Sequence, residues 1–391
     1  MKQLKIYVCL ISEDQNNLWH QHLTKTLLKM GHKVFTPGDV GLLDAWRFIA
    51  QGFSNRRHME RTTENILAEA KKIHAKEGID LFFAYLYPFQ FRPRLFKELT
   101  KLGIPSVYFF CDNFTHKDVA REYAPYATLN WVPESEAIPQ FKSSGSKYIY
   151  LPMAANPDIF YPVDTEETVD ISFLGSKNPY RRYILGRALH AGLNLRVYGG
   201  FWCPDSCCQS SEAEHKANII ERCFTHVRFK KNSISRFLRY GLGPVRRSRW
   251  YNRLGEEYDK VLQGVSNREP LDIVQANSVY SFSAVSIGTN DLFDSLLERK
   301  FIFYTKMRNF EAAMAGACFL MQATPDGHEL FQDGEEVMFY STPEELIDKA
   351  NFLLRNESVR KTLRLAARKR ALLEHTWSCR FKKVFSALEI G

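Results

Sequence analysis

Short apolar runs of strand length alternate with stretches of helical spacing along most of this chain, and this alternation constrains the fold more than any other feature. In the first 165 residues the apolar runs lie at 5–10, 33–36, 80–86, 106–111, 128–132 and 147–151. A helical stretch at 93–102 lies between two of them, with Pro93 suited to its first turn and Gly103 to its end. Strands that alternate with helices form βαβ units, so the sequence predicts a mainly parallel sheet covered by helices.

The same pattern restarts after a turn-rich connector at 156–162. Further strands are predicted at 170–174, 194–198, 278–287, 317–322 and 337–340. The 391 residues suit two domains rather than one core. We therefore predict one Rossmann-like domain at 1–165, a second at 166–375, and a C-terminal helix at 376–391 that can cross back to the first domain. Two such domains predict a cleft, with ligands at the carboxyl ends of the strands.

The composition is that of a soluble globular protein, with 45% apolar and 25% charged residues. The apolar run at 6–11 is too short for a signal peptide and is followed at once by Ser12-Glu13-Asp14. Cys9, Cys111 and Cys318 lie in apolar runs, as free thiols do in a reducing compartment. We therefore expect a cytoplasmic protein.

The segment 308–316 (RNFEAAMAG) combines several features of a nucleotide site. Asn309 is a favourable N-cap, and Glu311 would then lie in the first turn of a helix. A helix N-terminus offers N–H groups to a phosphate, and a neighbouring carboxylate can accept the hydroxyls of a ribose. Arg308 can neutralise phosphate charge. A capped helix that packs through its small residues explains the same pattern without a ligand.

Five pieces after residue 307 resemble the C-terminal segment of group 1 type glycosyltransferases, most closely their spore-maturation CgeB-like branch. These are 308–316 (RNFEAAMAG), 324–331 (TPDGHELF), 333–337 (DGEEV), 343–346 (PEEL) and 374–377 (EHTW). The piece 170–176 (DISFLGS), with Arg181, Arg182 and 197–199 (VYG) after it, resembles the start of the family's C-terminal domain. The resemblance implies an α/β protein of the GT-B fold, in which two Rossmann-like αβα domains face a central cleft.

The resemblance also implies residue roles. It assigns Glu311 to the ribose, as the second member of a Glu-x7-Glu pair whose first position is Phe303 here. It places phosphate-binding cations in the loop after the strand at 170–174. The donor-binding residues that we predict are Gly175, Ser176, Lys177, Arg181, Arg182, Tyr198, Gly199, Arg308, Asn309 and Glu311. Because Phe303 cannot contact the sugar as a glutamate would, part of the family's donor contacts must differ in this chain.

The implied reaction moves a sugar from a nucleotide-diphosphate sugar, a UDP-sugar most of all, to a hydroxyl of a glycan, a lipid-linked or a small-molecule acceptor. Its transition state is oxocarbenium-like, with charge on the departing diphosphate. Fixed N–H groups and Arg or Lys side chains can stabilise that charge without a metal, and the sequence has no Asp-x-Asp motif. We therefore expect no cofactor and no metal.

Candidate bases for activating an acceptor lie in the first domain. Asp112 follows the strand that ends at Cys111, and His116 lies four residues further on. A carboxylate or an imidazole at a strand end can take a proton from a hydroxyl, and His20 or His22 on the first helix can do the same. A turn or cap role explains Asp112 equally well. A reaction that retains the anomeric configuration needs no such base.

A basic, cysteine-bearing insertion spans about 203–263. The net charge is +9, yet 222–253 alone holds ten Lys or Arg residues and no Asp or Glu. The stretch 227–254 mixes these cations with aromatic and aliphatic residues, which suits a peripheral position on an anionic membrane, at its inner face, near a lipid-linked acceptor. A solvated helical hairpin with cations near the diphosphate is the alternative. Nucleic acid is the weaker third partner, because the charge is confined to one segment.

Four cysteines of the insertion, at 203, 207, 208 and 223, have His215 and His226 nearby and could bind zinc. Their spacing matches no standard ribbon or finger, so ordinary loop thiols are the preferred interpretation. Two other functions remain open for the whole chain. One is a nucleotide-sugar epimerase on the same fold, and the other is a non-catalytic sugar- or nucleic-acid-binding module.

Overall fold

The computed structural model describes residues 2–50, 56–116, 118–202, 242–267, 271–298 and 300–390. They form two compact units, one of Met1–Met153 with Trp377–Gly391 and one of Ala154–Thr376. Each unit has its own sheet, and every strand pairing within these sheets is parallel. Within the described ranges, no helix combines the length and the apolar character needed to cross a membrane.

The first unit is built on six strands, which are β1 (Lys5–Cys9), β2 (Lys33–Phe35), β3 (Leu81–Ala84), β4 (Ser106–Phe109), β5 (Leu129–Val132) and β6 (Tyr148–Tyr150). Their spatial order is β2-β1-β3-β4-β5-β6. The residues of β3, β4 and β5 are buried throughout, which explains why these strands are continuous apolar runs rather than alternating ones. The predicted strands of this half are all present.

The helices of this unit are α1 (Lys25–Lys29), α2 (Leu42–Ala50), α3 (Arg56–Glu77), α4 (Arg94–Lys101) and α5 (Ile138–Ser143). Neither α2 nor α3 was predicted, and they fill the connection between β2 and β3. In α3 the buried positions, among them Ile66, Leu67 and Ala70, are few among many charged residues, so its apolar stripe is narrow.

The second unit has the strands β7 (Val169–Leu174), β8 (Leu195–Tyr198), β9 (Ser283–Gly288), β10 (Phe319–Gln322) and β11 (Met338–Tyr340). Their order is β11-β10-β9-β7-β8, so the direction of winding changes between β7 and β9. The remaining helices are α6 (Pro179–His190), α7 (Leu242–Val265), α8 (Ile273–Phe282), α9 (Met307–Met314), α10 (Gly327–Leu330), α11 (Pro343–Arg355), α12 (Glu357–Glu374) and α13 (Trp377–Ala387).

One strand prediction was wrong in its first half. Residues 278–282, predicted as strand, belong to α8, and β9 begins only at Ser283. The cause is a capping box at the start of α8. Asp272 accepts a hydrogen bond from the backbone N of Gln275 at 2.8 Å, and Gln275 accepts one from the backbone N of Asp272 at 2.9 Å.

The basic helix α7 is part of the second unit's core rather than an appendage. It packs along α6, and a Cβ added to Gly186 of α6 would lie 2.1 Å from the Tyr258 ring of α7. Leu262 of α7 is 1% exposed and belongs to the apolar core of this unit. Arg247 donates hydrogen bonds to the carbonyls of Ser295 and Leu296 and so holds the following segment against α7.

The last helix, α13, belongs to the first unit. Trp377 and Phe381 are 1% and 0% exposed, and both rings contact Trp131 of β5. Arg380 donates hydrogen bonds to the carbonyls of Pro152 and Met153. The chain therefore leaves the first unit after Met153 and returns to it at Trp377.

Candidate functional site

A cluster of charged residues lies at the carboxyl ends of β7 and β9 in the second unit. The two strands are neighbours in the sheet, and the strand order reverses between them. In open α/β sheets this switch point is where ligands bind. Gly175 and Ser176 follow β7, whereas Thr289, Asn290 and Asp291 follow β9.

Two predicted glycines make close backbone contact here. The backbone N of Gly175 donates to the carbonyl of Tyr198 at 2.7 Å. Gly199 has φ +134°, and a Cβ added to it would lie 2.6 Å from the carbonyl oxygen of Gly175. A Cβ at Gly175 would lie 3.0 Å from Nη1 of Arg308 and 3.2 Å from Nη1 of Arg181. The absent side chains therefore let two guanidinium groups approach the backbone at the end of β7.

Asp291 is the buried anion of this cluster, and the sequence did not single it out. It is 1% exposed, and it accepts hydrogen bonds from Arg181 Nε at 3.2 Å and from Asn178 Nδ2 at 2.7 Å. Lys306 Nζ lies 4.0 Å from its Oδ1. Burial alone would raise the pKa of Asp291, but Arg181 and Lys306, with these hydrogen bonds, hold it below its usual value. Asp291 is therefore ionised and anchors the cations around it.

Arg308 has a buried guanidinium nitrogen, Nη1, that lacks a hydrogen-bond partner among the described residues. Burial, and then the neighbouring charge of Arg181, lower the pKa of Arg308. Arg181 and Lys306 lie 3.2 Å and 4.0 Å from the carboxylate of Asp291, whereas Nη1 of Arg308 has no hydrogen-bond partner among the described residues. A buried charged nitrogen without a partner is costly, so this cluster is built to receive an anion.

Glu311 lies on α9 near Arg308, and it is half-buried. Its charge raises the pKa of both Arg308 and Tyr280, although burial is the larger influence on each. The prediction that Asn309 caps this helix was wrong. The helix begins at Met307, which places Glu311 in the second turn. The buried Asn309 side chain donates to Asn290 Oδ1 at 2.8 Å and so attaches α9 to the end of β9.

Two other predicted cations face α7 instead of Arg308. Lys177 Nζ and Arg182 Nη1 lie 2.9 Å and 2.7 Å from the two carboxylate oxygens of Asp259. Arg182 also donates to the carbonyl of Asn252 at 3.2 Å. Of the predicted cations, the structure therefore brings Arg181 and Arg308 together and pairs Lys177 and Arg182 with α7.

Phe303 occupies the position of the first glutamate of the family pair. Its ring lies 4.8 Å from that of Phe301 and 5.5 Å from that of Tyr180. This position is therefore part of an aromatic cluster. The donor contact that a glutamate would make has no counterpart at this position.

In the first unit, the strand ends of β3, β4 and β5 bring Tyr87, Asp112 and Glu134 together. The hydroxyl of Tyr87 donates to Oδ2 of Asp112, and the His116 ring lies edge-on to Tyr87 at 5.5 Å. Glu134 is 4% exposed and accepts a hydrogen bond from the backbone N of Asn113 at 2.8 Å. Burial, and then the charge of Asp112, raise the pKa of Glu134 well above its usual value. The hydrogen bond from Asn113 to Glu134 therefore fixes the loop that carries Asp112.

The two histidines predicted on the first helix lie in a π-helical turn, His20–Thr24, directly before α1. Both are buried, His20 at 2% and His22 at 0% exposure. His20 Nε2 lies 3.0 Å from the carbonyl of Ser12, and burial lowers the pKa of His20. Cys9, Cys111 and Cys318 are also buried, and they are free thiols, as the sequence predicted. Cys203, Cys207, Cys208 and Cys223, His215 and His226, and 227–241 lie outside the described residues.

Solved structures over nearly the full chain length have the same architecture. Sucrose-phosphate synthase from Thermosynechococcus elongatus superimposes with a TM-score of 0.59 at 14% identity, covering 99% of each chain. A glycosyltransferase from Rickettsia africae gives 0.59 at 11% identity, covering 99% of this chain and 98% of the other. Anabaena HepE in complex with UDP and glucose gives 0.55 at 12%, covering 99% and 100%. The fold is GT-B.

Residues 235–386 match the model of a family described as glycosyl transferase-like. This segment contains α9 and the five pieces after residue 307 that resemble the family, but not the piece at 170–176. No curated protein is significantly similar to the chain. The GT-B fold and the glycosyl transferase-like match are thus established, while membership in the CgeB-like branch stays a prediction.

Proposed function

We propose that this GT-B protein is a glycosyltransferase that takes its sugar from a nucleoside-diphosphate sugar, with UDP as the favoured nucleotide. The observation that carries this proposal is the buried Nη1 of Arg308, beside Arg181 and Lys306, at the switch point between β7 and β9. The glycosyl transferase-like match of 235–386 and the likeness to HepE, which was solved with UDP and glucose, support it.

The proposed chemistry follows from the charges at this site. When the bond between the sugar and the diphosphate breaks, negative charge develops on the departing phosphate oxygen. Arg308 and Arg181 stabilise that charge, together with the backbone N–H groups of the first turn of α9. Glu311 is proposed to accept the ribose hydroxyls. Side chains supply the positive charge, so the proposed reaction requires no metal.

The acceptor is proposed to be a hydroxyl of a glycan, a lipid-linked or a small-molecule substrate. Asp112 is the proposed base for an inverting transfer, because its carboxylate lies at a strand end and is already hydrogen-bonded to Tyr87. In that step the hydroxyl proton moves to Asp112 while the acceptor oxygen bonds to the sugar. His116, whose backbone N donates to the carbonyl of Asp112 at 2.9 Å, is proposed to assist it.

The first test is calorimetric binding of UDP to the wild type and to Arg308→Gln and Glu311→Ala. Loss of a charged hydrogen bond costs about 1.5–3 kcal/mol, so Arg308→Gln should weaken UDP binding by roughly 10- to 100-fold. Glu311→Ala should abolish donor binding, and EDTA should change nothing. Arg187→Gln and Glu344→Ala, an exposed ion pair on α6 and α11, are the matched controls and should bind UDP normally.

Unchanged UDP affinity in both site variants would overturn the site assignment. Incubation of UDP-sugars without acceptor separates the other two functions. An epimerase would produce an isomeric UDP-sugar, whereas a glycosyltransferase would release UDP slowly by hydrolysis. A non-catalytic binding module would do neither.

We also propose that the exposed face of α7 lies on an anionic membrane surface in the cytoplasm, where it meets a lipid-linked acceptor. Arg246, Arg249, Trp250 and Arg253 follow one another at helical spacing, and all four are exposed. Trp250 is 49% exposed, and its ring stands against those of Tyr183 and Tyr251. Arginines around an exposed tryptophan suit the headgroup region of a bilayer with negative charge.

A further inference from the structure

Lys306 is a cation at the donor site that the sequence analysis did not include. It is the residue that directly precedes α9, and its side chain is 17% exposed. Its Nζ donates to the backbone carbonyl of Asp291 at 2.5 Å and lies 5.4 Å from the centre of the Tyr304 ring. The ammonium group is therefore held beside Arg308 at the start of the helix.

Lys306 has more positive than negative charge among its charged neighbours. Asp291 attracts it, but the Asp291 carboxylate lies 4.0 Å away and already accepts hydrogen bonds from Arg181 and Asn178. Arg181 and Arg308 both repel it. Burial is the largest influence, and with the two arginines it lowers the pKa of Lys306 to about 7.

We propose that Lys306 is the third cation of the diphosphate site and that it takes up one proton from solvent when the diphosphate binds. This inference rests on the proposed function, because it requires the site to bind a nucleoside diphosphate. The bound phosphates supply the negative charge that Lys306 lacks in the empty site. The proton passes from water or buffer to Nζ, and no other bond changes.

The proposal predicts a pH dependence of UDP binding with a defined sign. Below pH 7 Lys306 is already protonated, so binding takes up no proton. Above pH 7 the empty site holds neutral Lys306, and each binding event must draw a proton from solution. Affinity should therefore fall as pH rises, by about fivefold between pH 8 and pH 9. The terminal phosphate of UDP is already ionised in this range.

The experiment is calorimetric titration of the full chain with UDP at pH 8, in two buffers of different ionisation enthalpy. The difference between the two heats gives the number of protons taken up. We expect about 0.8 proton for the wild type at pH 8 and about 0.5 proton at pH 7. Lys306→Arg, which keeps its charge, should bind UDP with no proton uptake and with an affinity that does not change between pH 7 and pH 9.

A second variant and a control complete the test. Lys306→Met should bind UDP roughly 100-fold more weakly than the wild type at pH 6.5, with no uptake at any pH. Lys361→Met, which removes an exposed lysine of α12 paired with Glu357, should keep the wild-type uptake. Thermal unfolding of each variant establishes that it is folded.

The outcomes separate this inference from the function on which it rests. If the wild type binds no UDP at any pH, the proposed UDP site is wrong. If it binds UDP without proton uptake at pH 8, the role of Lys306 is wrong and the site stands. Uptake that persists in Lys306→Arg would assign the proton to another group and would also overturn the inference.

Discussion

Asp112 is the residue whose substitution best tests the acceptor chemistry. Asp112→Asn keeps the size of the side chain and an oxygen that can accept from Tyr87, but it removes the basic carboxylate. A general base contributes about 100- to 10,000-fold, so release of UDP from an active UDP-sugar should fall by at least about 100-fold. UDP affinity should stay unchanged, because Asp112 belongs to the first unit and the UDP site to the second.

The matched control is Asp118→Asn, an exposed aspartate on the same connection that pairs with Arg121. It should keep full activity. Full activity of Asp112→Asn would exclude this residue as the base and would favour a reaction that needs none. Comparing the anomeric configuration of donor and product would then show whether the reaction retains it.

At the scale of single residues, the sequence located part of the candidate site. Arg308 lies beside Arg181, as the predicted donor set requires, and the two glycines at 175 and 199 meet as a pair. Asp291 and Lys306 could not be predicted, because their contacts depend on the order of β7 and β9 in the sheet. A local pattern carries no information about which strand ends become neighbours. The polar run at 289–291, directly after a buried strand, was the sequence signal that could have located Asp291.

At the scale of secondary-structure elements, the contact between α6 and α7 leads to a specific prediction about stability. A Cβ at Gly186 would meet the Tyr258 ring at 2.1 Å, so Gly186→Ala must push the two helices apart. Overpacking of this kind costs about 1–3 kcal/mol, which should lower the melting temperature by several degrees. Differential scanning calorimetry measures this change. Gly264→Ala is the control, since an added Cβ there meets nothing within 4 Å, and a melting temperature that falls equally in both would contradict the explanation.

The elements themselves were predictable where a local signal existed. Strands with continuous apolar runs and helices with Pro or Gly at their ends appeared close to their predicted positions. α8 was missed because Val279, Tyr280 and Phe282 in its second half also fit a strand. The pairing of Asp272 with Gln275 at its start favours the helix. The length of α7 along α6 was not evident, since its cations suggested solvent while one of its faces is apolar and buried.

At the scale of the whole molecule, the two parallel α/β units followed from the alternation of strands and helices. The GT-B fold expected from the family resemblance is confirmed by the solved structures. The return of α13 to the first unit depends on contacts over more than 200 residues, such as that of Phe381 with Phe83. Residues 376–391 were expected to form a helix that can cross back to the first domain, and these contacts show which core the helix completes.

The proposed membrane association is a property of the whole molecule, and it can be measured on the full chain. Reversing Arg246, Arg249 and Arg253 to Glu should abolish co-sedimentation with vesicles that contain anionic phosphatidylserine, because each cation contributes about 1 kcal/mol at such a surface. Raising the salt concentration should release the wild type, since these charges are exposed. The control reverses Lys71, Lys72 and Lys76, exposed lysines of α3, with the same change in net charge. If both variants lose vesicle binding equally, net charge alone explains the binding, and the proposal of a specific membrane face on α7 is wrong.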